Sequence, residues 1–268
     1  MNPPIDLSGQ VALVTGGGRG IGREIARQLA AAGAVVAVAA RTEAQLAETA
    51  ATITAAGGQC ATFAMDVTNL TSVKQTVAAV TEQFGSIDLL VNNAGIGANG
   101  AAAWDVDPEN WWRVMEVNVR GVFNCTNVVL STMVARNQGR IINVGSNAGV
   151  RETPMASAYG ASKAALIHLS NTIGEELSDT DVSIFTFSPG LVYTDMTKDV
   201  PLFKTFPDSA WVPIELAGEI CVLLASGAAD KLSGRYFHVR EDDVAALIEQ
   251  ADKVIEQDAQ TLRLRQVT

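Results

Sequence analysis

Tyr159 and Lys163 stand four residues apart, so on a helix they share one face, a phenol and an ammonium one turn from each other. Ser146 lies thirteen residues before Tyr159, at the end of an apolar run. A phenol ionises near pH ~10 and is by itself a poor acid–base group at neutral pH. An ammonium one turn away would favour the phenolate and lower that value. Far upstream, Thr15-Gly16-Gly17-Gly18-Arg19-Gly20-Ile21-Gly22 lacks the strict G-x-G-x-x-G pattern but fits T-G-x-x-x-G-x-G. Between a strand and a helix, such a loop brings a pyrophosphate to the helix N-terminus, the glycines allowing a tight turn and close backbone approach.

The elements that must position these groups read as strand and helix in alternation. Residues 11–14 are a short apolar run ending in the glycine cluster, as in a buried parallel strand. Helical spacing of Ile21, Ile25 and Leu29 follows over 20–32 and stops at Gly33. A strand at 34–40, a helix at 43–56, a strand at 60–65, a helix at 69–84 and a strand at 87–91 come next. Asp107-Pro108 opens one long helix to residue 136, Asp as the cap and Pro at the first helical position. A strand at 140–144, a helix at 157–177, a strand at 182–187, a helix at 213–225 and a strand at 236–239 complete the rhythm. Single helices between strands imply an α/β fold: one doubly wound, mostly parallel seven-stranded sheet with helices on both faces.

Two segments break the pattern. Residues 193–211 hold Pro201, Pro207, Phe203, Phe206 and Trp211 with no clean period, and a long loop at the carboxyl end of a strand is where such sheets bind ligands. Beyond Arg240, residues Val244, Leu247, Ile248, Ala251, Val254 and Ile255 form one helical stripe that must bury against something. Residues 1–240 are therefore read as the dinucleotide-binding and catalytic domain. Residues 241–268 are read as a helical tail packed on it or on a neighbouring subunit.

The chain has 268 residues, 48% of them apolar and 18% charged, ample material for a core. Its net charge of -10 argues against nucleic acid, whose phosphates need a basic face. Cys60, Cys125 and Cys221 sit in apolar contexts and read as buried small hydrophobes in a reducing compartment. With only two histidines, His168 and His238, and no paired cysteines, no metal site is expected. Residues 1–10 carry prolines and an acid where a secretory leader would be basic and then apolar. The longest apolar run, 29–40, falls short of the ~20 residues that span a bilayer. A soluble, cytoplasmic protein that binds neither nucleic acid nor membrane is expected.

With these elements in place, the chain resembles the short-chain dehydrogenase/reductase family from about Leu7 to Val239. The family's Y-x-x-x-K appears as Tyr159 to Lys163, its N-N-A-G as Asn92-Asn93-Ala94-Gly95, and its P-G-x-x-x-T as Pro189-Gly190 through Thr194. The first alone is common by chance, whereas motifs in the right order, each at the end of the right element, are not. The resemblance implies a single-domain Rossmann fold and hydride transfer between NADP(H) and a small-molecule carbonyl or secondary alcohol. It implies that Tyr159 gives a proton to the carbonyl oxygen in reduction and removes one in oxidation, with Ser146 bonded to the same oxygen. Lys163 would also hold the nicotinamide ribose, and Asn118 would support a water relay. For the coenzyme, the resemblance implies contacts from Gly16, Gly18, Arg19, Gly20, Ile21 and Gly22. Asp66 and Val67 would meet the adenine, and Asn92, with Ala94 and Gly95, would border the adenosine ribose. Pro189, Gly190, Val192 and Thr194 would lie near the nicotinamide, Thr194 bonding its carboxamide. Asn93 reads equally well as a structural link between strands. Ser162, His168, Trp111 and Trp112 read as helix-face or interface residues.

An NAD enzyme of this type usually carries an acid at the end of the second strand, some ~20 residues past the glycine turn. Here Ala40 stands there, followed by Arg41 and Thr42, which with Arg19 would converge on a 2′-phosphate and select NADP(H). Trp104, Phe203, Phe206 and Trp211 would flank a pocket for a mostly apolar substrate, making the protein a ketoreductase. The long helices 107–136 and 157–177 resemble those that pair across subunits in the family, implying a homotetramer or homodimer. The family's common D-G-G ending is replaced by Arg240-Glu241-Asp242-Asp243 and the tail, which puts the usual tetramer contacts there in doubt. A dehydratase or epimerase on the same scaffold, or a non-catalytic coenzyme-binding regulator, are the alternatives. The intact set of Asn118, Ser146, Tyr159 and Lys163 favours hydride transfer.

Overall fold

Val11, Ala12, Leu13 and Val14 are apolar on both sides of the chain, so the strand they form must be covered on both faces. The computed structural model describes residues 5–97 and 100–264, so positions 1–4 of the segment read for a leader and 265–268 of the tail lie outside the described residues. In it β1 (Val11–Thr15) is buried throughout and flanked by β2 (Val35–Ala40) and β4 (Leu89–Asn92). With β3 (Gln59–Ala64), β5 (Gly139–Val144), β6 (Val182–Ser188) and β7 (Tyr236–His238), the order is β3-β2-β1-β4-β5-β6-β7, every pairing parallel. This is the doubly wound Rossmann-like arrangement expected.

One face is covered by α1 (Gly20–Ala31), α2 (Glu43–Ala55) and α7 (Glu215–Ala225), which bury Ile25, Leu29, Leu46, Ile53 and Leu224 against Val14, Val36 and Phe185. The other is covered by α3 (Leu70–Phe84), α5 (Gly121–Arg136) and α6 (Ser157–Glu176), which bury Val73, Val129, Met133 and Ile173 against Leu13, Leu90 and Ile141. Each such side chain contributes about 1.5–3 kcal/mol on burial. The chain reverses its winding between β1 and β4, and there the carboxyl ends of the strands part to leave a crevice.

The helix expected over 107–136 is interrupted. Asp107 caps it, accepting from the Asn110 N–H at 2.9 Å, and α4 (Pro108–Met115) follows. A wider π turn, Glu116–Arg120, then separates α4 from α5 and turns Asn118 inward.

The tail also departs from a single helix. It forms α8 (Val244–Glu249) and α9 (Ala251–Glu256), separated at Gln250 (φ -104, ψ 26). The bend lets Val244, Ala251 and Val254 all join the core that α7 also covers, whereas Ile255, on the expected stripe, is exposed. Beyond α9 the chain returns to β7: the Tyr236 N–H donates to Gln260 O at 2.9 Å and the His238 N–H to Asp242 Oδ2 at 2.7 Å. Arg235 binds Asp258 at 2.9 Å.

Candidate active site

The glycine loop is stitched to the end of β4 by polar contacts. Thr15 Oγ1 accepts the Asn93 and Ala94 N–H groups at 3.0 and 3.1 Å, and Asn93 Nδ2 donates to Thr15 O at 2.9 Å and Gly16 O at 3.2 Å. Asn93 thus ties strand to strand. A Cβ at Gly22 would strike Asn93 Nδ2 and Gly16 O, so only glycine fits there. Gly20 has φ +53, and a side chain on it would project toward Thr194 across the crevice. Arg19, at the cap of α1, offers no side-chain acceptor, and the first turn carries no acid. Its N–H groups are left for an anion.

The crevice has a volume of about 560 Å³, within the range of small-molecule and cofactor sites. Its wall includes Gly16, Gly18, Arg19, Gly20, Ile21 and Gly22 from the glycine loop, and Arg41, Thr42, Asp66 and Val67 beyond it. Ala94, Gly95, Ser146, Tyr159 and Lys163 continue the wall to Pro189, Gly190, Val192 and Thr194. At the far end, Ala40 presents no carboxylate. Burial works to raise the Asp66 carboxyl, but the Thr68 N–H and hydroxyl, at 2.9 and 2.8 Å, and the nearby Arg41 hold it below the usual value. The glycine cradle and the open N-terminus of α1 fit a nicotinamide dinucleotide.

At the other end the acid–base groups meet. Ser146 caps a short turn after β5, its Oγ accepting the Ala148 N–H at 3.2 Å. Lys163 is buried on α6, and its Nζ donates to Val144 O at 2.8 Å. Burial brings its pKa down to about 8. The same Nζ is 5.6 Å from the centre of the Tyr159 ring. The phenol of Tyr159 is raised by burial, with the Ser146 hydroxyl opposing the rise. Lys163, expected to favour the phenolate, stands beside the ring with its Nζ bonded to Val144 O.

Two residues of the expected site, Asn92 for the ribose and Asn118 for the water relay, lie outside the crevice wall. Asn92 is buried beneath it, its Nδ2 donating to Thr126 Oγ1 at 3.0 Å and to Asn143 Oδ1 at 2.8 Å. It joins a polar ladder that continues through Ser170 to Thr186 and pins β4, β5 and β6 to α5 and α6. Asn118 is also buried. Its Oδ1 accepts the Ile96 N–H at 2.9 Å and its Nδ2 donates to Ile96 O and Ser162 Oγ, both at 3.0 Å. Its side chain fixes the loop after β4 and the helix carrying Tyr159 and Lys163. Trp111 adds to this by donating from Nε1 to Ser157 Oγ at 3.1 Å.

Other wall residues escaped the sequence reading. Asp195 forms an ion pair with Arg19 at 3.0 Å and with Lys198 at 2.6 Å. It directly follows the threonine of P-G-x-x-x-T, a position that could have drawn attention. Ile96, Val117 and Met196 give the substrate end its apolar wall. Trp104, Phe203, Phe206 and Trp211 are not part of that wall. Phe203 packs with Phe206 and Trp211 at 5.8 and 6.4 Å between ring centres, Trp211 with Tyr193 at 5.5 Å, and Trp104 is exposed. The three loop aromatics stiffen the loop behind the wall.

Residues 10–204 match the family model described as short chain dehydrogenase. A 3-oxoacyl-[acyl-carrier-protein] reductase of Synechocystis sp. is 37% identical over 238 residues, 87% of this chain and 96% of that protein. The crystal structure of an actinorhodin polyketide ketoreductase variant with NADPH superimposes with a TM-score of 0.81 at 33% identity, over 86% of this chain and 95% of that one. A gluconate 5-dehydrogenase from Burkholderia cenocepacia in complex with NADP and tartrate gives 0.81 at 31% identity, over 88% and 95%.

Proposed function

Since this chain belongs to the short-chain dehydrogenase/reductase family and is an oxidoreductase acting between a carbonyl and an alcohol, we propose that it is an NADPH-dependent reductase of mostly apolar ketones. The reading is carried by one juxtaposition: Ser146, Tyr159 and Lys163 at one end of the crevice, and Arg41 beside Ala40 at the other. When bound, NADPH would supply a hydride for the carbonyl carbon. Tyr159, a phenol whose ordinary value lies well above neutral pH, rests protonated and donates that proton to the substrate oxygen. The Ser146 hydroxyl donates a hydrogen bond to the same oxygen as negative charge grows on it. Lys163, with one N–H on Val144 O, keeps two for the ribose hydroxyls and places its charge beside the phenol. Asn118 acts as a positioning residue through Ile96 and Ser162. Arg41, Thr42 and Arg19 would hold the 2′-phosphate.

Val117, Val192 and Met196 favour an apolar substrate body. The NADPH-bound ketoreductase and the NADP-bound dehydrogenase among the similar structures support the coenzyme. The exposed Trp112 and Phe123 on α4 and α5 support a homo-oligomer built on that face. Free cysteines, two of them buried, suit the cytoplasm. The test is coenzyme consumption with a panel of ketones and keto acids, using NADPH and NADH in turn. Turnover of apolar ketones with NADPH is expected, and a preference for NADH or for small anionic keto acids would overturn the reading.

A further inference from the structure

Just beyond β7, two neighbouring residues of opposite charge are tied to two different loops at the substrate end, and the proton-transfer chemistry uses neither. Glu241 Oε1 accepts from Asn147 Nδ2 at 2.9 Å, and its Oε2 from Arg151 at 2.7 Å. Asn147 adjoins Ser146. Its Oδ1 accepts from the Tyr236 hydroxyl at 2.9 Å, and its backbone N–H donates to Ser188 Oγ at 3.1 Å. The amide beside the serine is therefore held from β6, from β7 and from the segment after β7.

Arg240 reaches the other wall. Its Nη1 donates to Ser209 O at 2.6 Å, in the loop between β6 and α7. That loop is closed on itself by the bridge between Leu191 and Trp211, so a pull at Ser209 is transmitted to the strand end carrying Val192 and Thr194. The turn bearing both residues is fixed in its own right. His238 Nδ1 accepts the N–H groups of Arg240 and Glu241 at 3.2 and 3.0 Å, which requires that nitrogen to be unprotonated. Burial holds the imidazole below its ordinary value and keeps the acceptor in place.

We propose that Arg240 and Glu241 form a clasp that sets the position of Ser146 and the width of the substrate end, both acting as positioning residues for the ketone reduction proposed above, on which this inference rests. The ion pair of Glu241 with Arg151 is exposed, at 43% and 65%, so it adds little to stability. Its effect is geometric. A catalytic group misplaced by about 1 Å loses up to roughly a hundredfold in rate.

The experiment compares steady-state reduction, thermal melting and NADPH titration for Glu241→Ala, Glu241→Gln, Ser146→Ala and the double variant Ser146→Ala/Glu241→Ala. Glu241→Ala is expected to lower kcat roughly tenfold, with NADPH affinity and melting temperature close to those of the native protein. Glu241→Gln, whose amide oxygen still accepts from Asn147, restores most of that loss. In the Ser146→Ala background the Glu241 change costs nothing further, because the group it positions has gone. Losses that multiply in the double variant, or native kcat in Glu241→Ala, overturn the clasp. Asn147→Ser reads the same link independently should Glu241→Ala not fold, and native kcat there is equally fatal. Arg240→Ala is expected to change KM for bulky ketones more than for small ones, and an equal change refutes the role in width. A native protein that consumes no NADPH with any ketone fails earlier and differently, because the reaction itself is then misassigned.

Discussion

At the coenzyme end of the crevice, the wall between β1 and β4 is largely backbone. Glycines 16, 20 and 22, the Thr15–Asn93 stitching and the first turn of α1 leave almost no side chain free to move. At the substrate end the wall is side chain on loops: Ser146 on a short turn, Val192 to Thr197 after β6, and Met196 exposed at the rim. A backbone site binds the part of a ligand common to many reactions, and it tolerates little change in sequence. A side-chain site on loops can be retuned residue by residue without disturbing the sheet. The acid–base groups stand where the two kinds of wall meet.

The largest test of that division is Tyr159→Phe. Removing one hydroxyl from the junction is expected to cost about 10²- to 10⁴-fold in turnover while NADPH affinity stays unchanged. Near-native turnover, measured as coenzyme consumption, would show that the proton comes from elsewhere.

Arg41→Ala probes the coenzyme end alone. Its charge-assisted bonds to a phosphate correspond to roughly ten- to hundredfold in NADPH affinity, with NADH nearly unaffected. Equal loss of both coenzymes in a fluorescence titration would mean that Arg41 supports the loop rather than the phosphate.

The pH dependence of reduction reads the junction from the lysine. Burial leaves Lys163 with a pKa of about 8, while the phenol lies above its ordinary value. Lys163 therefore loses its charge first as pH rises, and the reduction rate is expected to fall about tenfold per unit above that point. A rate flat through pH 8 that falls only where a phenol ionises would remove Lys163 from the rate-determining protonation. The stability sign runs the other way. A lysine whose folded value is depressed from 10.5 to about 8 destabilises the fold below pH 8, and this destabilisation is relieved as pH rises toward 10.5.

The smallest effect is expected where the two ends touch, at Asp195. Its exposed pair with Arg19 competes with a 2′-phosphate for the same guanidinium. Asp195→Asn should tighten NADPH by roughly two- to fivefold at low salt, with the gain fading as salt is added. Weaker NADPH binding would instead make the pair a support for the loop.

What could be read from the sequence followed the range of the interactions. The glycine loop, the Tyr159–Lys163 spacing and the seven strands depend on neighbours within a few residues, and their chemistry is written locally. Residues 92 and 93 face different ways, which the motif alone does not show: Asn93 turns to the glycine loop and Asn92 to the ladder under the sheet. The π turn at Asn118 was hidden because the apolar spacing of α4 and α5 suits an unbroken helix. Glu241 and Asn147 are 94 residues apart, so no spacing rule could link them. The bend at Gln250 likewise depends on the core that the tail must reach, and the bond from Lys163 to Val144 O is one that no pattern of side chains reveals.

The return of the tail to β7 has a further consequence. In a parallel sheet alternate residues of a terminal strand turn their N–H groups outward, and a row of such donors is a template on which a foreign strand can pair. On β7 the outward donors are those of Tyr236 and His238, and both are already taken by Gln260 O and Asp242 Oδ2 of the same chain. The His238 carbonyl likewise accepts from the Asp242 N–H. This border of the sheet is closed to strand-by-strand growth, whether by a second copy or by a misfolded neighbour.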